Sequence, residues 1–104
     1  MKTIDAPVFV VLVRYTQPVE AVMKHLEAHR EFIASGYARG IFLVSGRGAD
    51  DDPGVVVASG VSRQELQQLM KQDPFHKHSM ATYEVLQFHA SRACDELGQL
   101  FPSP

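Results

Sequence analysis

Two side chains have the residue types for proton transfer, and they lie far apart in the chain: His29 and Asp73. An imidazole titrates near about pH 6.5, so it can take or give a proton under ordinary conditions. A carboxylate beside it fixes its tautomer and aims the ring. Each residue also has an ordinary use. His29 borders the apolar arc of a helix, where a histidine commonly bonds a backbone carbonyl. Asp73 precedes Pro74 in "KQDPFHKH" (71–78), and proline disfavours helix at the residue before it while Asp suits turns. Read as the end of a helix over 62–72, however, Asp73 meets the negative end of the helix dipole, costing about 0.3–1 kcal/mol if exposed. Asn or Ser would stop the helix without that cost. The charge is therefore expected to have a partner. A histidine on the other helix can supply one, within about 3.5 Å directly or through one water. Phe75 is expected to pack into the core beside the cleft and stiffen the junction.

The remaining candidates carry less. Arg14, Tyr15 and Tyr83 occupy strand positions and can line a pocket as anion clamp or proton donor, or simply pack on the surface. Ser45 ends a strand without a nucleophile elbow around it, which argues against a hydrolase triad but leaves it able to bind a substrate oxygen. His76 and His78 alternate, yet zinc wants three or four ligands and only His89 or a distant carboxylate offers the next, so they are expected to point to solvent or a dimer rim. Asp50, Asp51 and Asp52 lack the spacing of a calcium loop, and "GRG" at 46–48 precedes no helix that would cradle a phosphate.

The elements that must position these groups follow from periodicity. "PVFVVLVRY" (7–15), "GIFLVSG" (40–46), "GVVVASG" (54–60) and "TYEVLQFHA" (82–90) are short apolar or β-branched strands. Residues 16–36 show Val19, Val22, Met23, Leu26, Ile33 and Tyr37 at helical spacing, with Pro18 in the first turn and Gly36 as the stop. On that continuous helix Arg30 falls inside the arc and His25 outside it. Residues 62–72 open with a capping box, Ser62 and Glu65, and turn Leu66, Leu69 and Met70 inward. A short helix over 91–101 ends the chain. Strand, helix, strand, strand, helix, strand with right-handed crossovers is an α+β, ferredoxin-like βαββαβ arrangement: an antiparallel four-stranded sheet with two helices on one face. Yet Val8, Val10 and Leu12 on one side of the first strand and Phe9, Val11 and Val13 on the other are all apolar. A helix-free face should be polar. A second copy of the chain is the simplest cover, giving a homodimer through the sheet face.

Composition narrows the function classes. The 104 residues fit one domain, are 45% hydrophobic and 21% charged, and carry a formal charge of -2. There is no basic face for phosphates, so nucleic acid is not an expected partner. The apolar run near the N-terminus is too short to span a bilayer. Cys94 is the only cysteine, which fits a reducing compartment and a buried or inert thiol. A cytoplasmic protein is expected.

His29, Gly40 at the start of the second strand, "SG" at 45–46, "DPF" at 73–75 and the aromatic-rich "TYEVLQF" resemble, in order and spacing, the YCII-related proteins, small relatives of the dimeric α+β barrels. The resemblance runs from residue 8 to about 90, within a single domain over 1–104 whose core is about 7–90 and whose extension is 91–104. It implies a ferredoxin-like subunit whose sheets face each other in a dimer. It also implies a cleft between sheet and helices holding His29 and Asp73, in a family thought to act on small, often aromatic-derived metabolites. The histidines at 25, 76, 78 and 89 depart from the pattern and leave open which imidazole works.

Three functions compete. The first is an enzyme without a cofactor, in which His29 and Asp73 move a proton on a small ring or carbonyl compound by isomerisation, lactone chemistry or elimination. There Arg14 or Ser45 binds a substrate oxygen, and Phe75 and Tyr83 line the site. The second is a non-catalytic dimer that binds a metabolite or a protein through the same cleft. The third is metal-dependent chemistry through His76 and His78.

Overall fold

Both apolar faces of the first strand are used, for different purposes. The computed structural model describes residues 1–102. Its sheet is built from β1 (Lys2–Tyr15), β2 (Phe42–Gly46), β3 (Gly54–Ser59) and β4 (Ala81–Ala93). All pairs are antiparallel, in the order β2-β3-β1-β4. Phe9, Val11 and Val13 face the main core, where they meet Val22, Leu66, Met70 and Phe75 from the helical segments. The helices of the two crossovers therefore lie on one face of the sheet, and the fold is α+β and ferredoxin-like.

The helical layer is more broken than periodicity suggested. The first crossover is two helices, α1 (Val19–Met23) and α2 (Leu26–Ala38). Between them Lys24 and His25 donate their backbone N–H groups to the carbonyls of Ala21 and Val22, three residues back. This tighter turn ends α1 and resets the phase of α2. As a result Arg30, expected within the apolar arc, is exposed, and His25 is half-buried. Gly36 does not stop the helix. A Cβ there would lie 2.1 Å from the Phe42 ring, so the missing side chain lets α2 sit close on β2. The left-handed residue after the helix is Gly40, at φ +73.

The second crossover is α3 (Arg63–Met70) followed by α4 (Pro74–Lys77). The capping box forms: Ser62 Oγ accepts from Glu65 N, and Glu65 Oε1 accepts from Ser62 N. These bonds hold the Glu65 carboxyl below its ordinary range, the backbone bond contributing most. Asp73 was expected at the unfavourable C-terminal end of a helix. Instead α3 has closed by Lys71, and Asp73 is the N-cap of α4 with Pro74 in the first turn. A carboxylate is welcome at that end, because it accepts an N–H that would otherwise lack a partner.

The chain ends also differ from expectation. β1 begins at Lys2, not residue 7, because Lys2 and Thr3 pair with Ala93 and Arg92 across a bulge. β4 accordingly runs on to Ala93, and the last helix shrinks to α5 (Asp95–Gly98), capped by an exposed Cys94. Of the buried or inert thiol expected, the buried alternative is contradicted. Phe101 closes a second small cluster with Ile4, Ala6, Val8 and Ala90 on the helix-free face. The tail thus covers one end of that face. Val44, Leu86 and Phe88 further along remain 59%, 46% and 51% exposed. Residues 103–104 of the expected extension lie outside the described residues. Among the described residues, no helix is long and apolar enough to cross a membrane.

Candidate functional site

α2 and α4 meet at one side-chain junction. His29 Nδ1 lies 2.9 Å from both oxygens of Asp73. Asp73 is 0% exposed and the His29 side chain 19%. Because a carboxylate can only accept, Nδ1 carries the hydrogen, and in the neutral ring Nε2 keeps its lone pair. Phe75 N donates to Asp73 Oδ1 at 3.0 Å, the capping bond of α4. Tyr83, on the helix-facing side of β4, donates its hydroxyl to Oδ2 at 2.5 Å. Three donors from α2, α4 and β4 thus converge on one buried carboxylate. Without them, burying that charge would be prohibitive.

The ring of His29 is equally constrained. It stacks on Phe75 with centroids 3.9 Å apart and planes 2° apart, and Phe75 is itself buried in the core. One face of the imidazole is held by the stack and one edge by the carboxylate. Little freedom remains for the ring to reorient. Tyr83 is pushed far above the ordinary phenol range, chiefly by burial and then by its hydrogen bond to Asp73 and the charge there, with a smaller contribution from Tyr15. It therefore keeps its proton and serves as a donor to Asp73, not as a base.

Beside this junction a cleft of about 610 Å³ opens between α3, the α4 junction and the edge strand β4. Of the three donors to the Asp73 carboxylate, Tyr83 alone lines the cleft. His29 and Asp73 do not line it.

Residues 8–89 match the model of the YCII-related domain. The chain belongs to this family. Among curated proteins none is significantly similar. The YCII-related chain is similar in structure to the 5-chloro-2-hydroxyhydroquinone dehydrochlorinase of Burkholderia phenoliruptrix, solved in complex with 2,5-dihydroxybenzoquinone. The two share 19% identity with a TM-score of 0.62, over 78% of this chain and 92% of the other. At that identity the likeness is one of fold.

Not every residue expected at the site comes to the junction. His29, Asp73, Phe75 and Tyr83 do. Arg14 does not: it pairs with Glu84 at 3.2 Å on the helix-free face, because its register follows Val10 and Leu12. Ser45 lies on β2, at the opposite edge of the sheet, and shares a 2.7 Å hydrogen bond with Tyr37. Of the two alternating histidines, His78 stacks on His25 with centroids 4.2 Å apart. His76 turns to the cleft, its ring centroid 5.8 Å from that of Tyr83. No three His, Cys, Asp or Glu side chains converge among the described residues. Lys71, Gln67 and Met70 also line the cleft. Sequence reasoning passed over them because the first two look like the solvated face of a helix and the third like its core face.

Proposed function

We propose that the protein is an acid–base catalyst acting on a small aromatic-derived or carbonyl metabolite, with His29 as the working base. The observation that carries this reading is the 2.9 Å contact between His29 Nδ1 and a fully buried Asp73. It commits Nδ1 and leaves Nε2 as the proton acceptor. Nε2 takes a proton from an activated C–H or O–H, and Asp73 balances the charge of the imidazolium. In an isomerisation the proton returns to another atom of the same molecule. In an elimination the freed electron pair expels an anionic leaving group, and the proton leaves with it as acid. Neither course requires a cofactor for the proton step. Asp73 is a positioning residue, and Tyr83 and the Phe75 N–H hold it in turn.

A similar fold carrying a dehydrochlorinase makes loss of HCl the first reaction to test. The assay is chloride release from 5-chloro-2-hydroxyhydroquinone, alongside ring-proton exchange of 2,5-dihydroxybenzoquinone in deuterium oxide. The expected result is turnover above buffer that falls about 100-fold in His29→Ala. Equal rates for the two proteins would overturn the assignment of His29.

A second reading is favoured by the position of the cleft, which Tyr83 reaches and His29 does not. Here the protein binds a metabolite without converting it, and the His29–Asp73 contact clamps α4 to α2. His29→Ala would then lower stability while leaving ligand affinity intact. Under either reading, we infer that a second copy of the chain covers the exposed apolar end of the helix-free face.

A further inference from the structure

We propose that the cleft along β4 is a binding site for a small organic anion, a flat ring bearing a carboxylate or ionised hydroxyl, held by Lys71 and His76. The inference rests on the reading that this protein takes a small-molecule ligand, but it does not depend on His29 being catalytic.

The argument begins with the charge of the lining. Lys71 and His76 are its potentially cationic members, and no Asp or Glu lines it. Yet acidic residues outnumber basic ones, 12 to 10, in the chain as a whole. No ion pair of Lys71 or His76 is present among the described residues. The nearby carboxylate of Asp73 is fully buried and occupied by its three donors, so it does not present its oxygens to the cleft.

The floor is of another character. Met70 and Ala81 are buried, and Val85 and the ring of Tyr83 are half-buried. An apolar floor beneath a rim of Lys71, His76 and the amides of Gln67 and Gln68 suits a ring with an anionic edge: the ring covers the floor while the charge meets the rim. The volume of about 610 Å³ is ample for one or two fused rings.

The walls are also tied. Arg63, at the start of α3, donates to the carbonyl of Val85 on β4 at 2.5 Å. Thr16 closes the other end: its N–H donates to Met80 O at 2.8 Å and its hydroxyl to Ser79 O at 2.9 Å. The space is therefore framed by hydrogen bonds between elements, which gives it a standing shape for a ligand.

The test is a titration of the full chain with benzoate and with benzamide, its neutral counterpart of the same shape, followed by amide NMR shifts. Benzoate is expected to bind saturably, moving the signals of Lys71, His76 and Tyr83, with benzamide about tenfold weaker. Lys71→Gln should weaken benzoate about tenfold, whereas Lys71→Arg should stay within about threefold. His29→Ala should leave benzoate affinity within about twofold, since His29 does not line the cleft. Loss of turnover in His29→Ala with benzoate binding unchanged would support both the base and this site. Unchanged turnover with unchanged binding would remove the base and keep the site. Equal affinity for benzoate and benzamide, no binding of benzoate, no effect of Lys71→Gln, or loss of benzoate binding in His29→Ala would overturn the inference.

Discussion

The phenol of Tyr83 and the imidazole of His29 meet on a single carboxylate oxygen, Oδ2 of Asp73, at 2.5 and 2.9 Å. One group is donated from the edge strand and the other from α2. Asp73 therefore joins the sheet to the helical layer at the point where the proposed chemistry occurs.

Asp73→Asn should separate the positioning role from simple packing. An amide can offer its own N–H to Nδ1 and favour the tautomer with hydrogen on Nε2, removing the lone pair that would act as base. Turnover should fall by about 10² or more, and stability by about 3 kcal/mol from the disrupted buried pair. Denaturant titration and kinetics on the folded fraction check the two effects independently.

Tyr83→Phe tests the second donor. Losing a hydrogen bond to a charged acceptor should cost about 1.5–3 kcal/mol near neutral pH. The variant should also change the alkaline limb of the stability profile. The Tyr83 pKa is raised above its ordinary 10.0 in the folded chain, so above pH 10 the unfolded chain loses a proton that the folded chain keeps. That contribution is fully present below about pH 10 and is lost as the pH rises further. Urea midpoints between about pH 9 and 11 should fall less steeply in Tyr83→Phe than in the parent.

Gly36→Ala should destabilise although alanine is the better helix former. Helix propensity offers about 1 kcal/mol, but the new Cβ would lie 2.1 Å from the Phe42 ring. The resulting overpacking should cost about 1–3 kcal/mol and win. Pairing the change with Phe42→Leu should restore part of the loss, read from thermal unfolding.

Leu86→Glu addresses the second copy. Leu86 is 46% exposed on the helix-free face and pairs with Val10 in the sheet. A carboxylate there would be buried unpaired in a face-to-face dimer. Light scattering should give a dimer for the parent chain and a monomer for the variant at micromolar concentration. A monomeric parent would rule out the proposed cover.

The sequence by itself determined the order of the elements, the Ser62–Glu65 capping box, the burial of Phe75 and the meeting of His29 with Asp73. The first three depend on short-range pattern or on residue chemistry; the last rested also on the family resemblance that pairs the two residues, and the contact forms although the premise about the dipole did not hold. A Pro at 74 can stop one helix or start another, and only the path of the chain made Asp73 the N-cap of α4. Tertiary structure likewise decided which apolar face of β1 lies beneath the helices. Alternation placed Arg14 with Val10 and Leu12, but with both faces apolar no pattern could tell that this was the face away from the junction. The extension of β1 to Lys2 arose from pairing with the far end of β4, a contact between segments some ninety residues apart. The cleft was the least legible part. Lys71 and Gln67 belong to the polar side of an amphipathic helix, and such a side becomes the wall of a site only when an edge strand lies beside it.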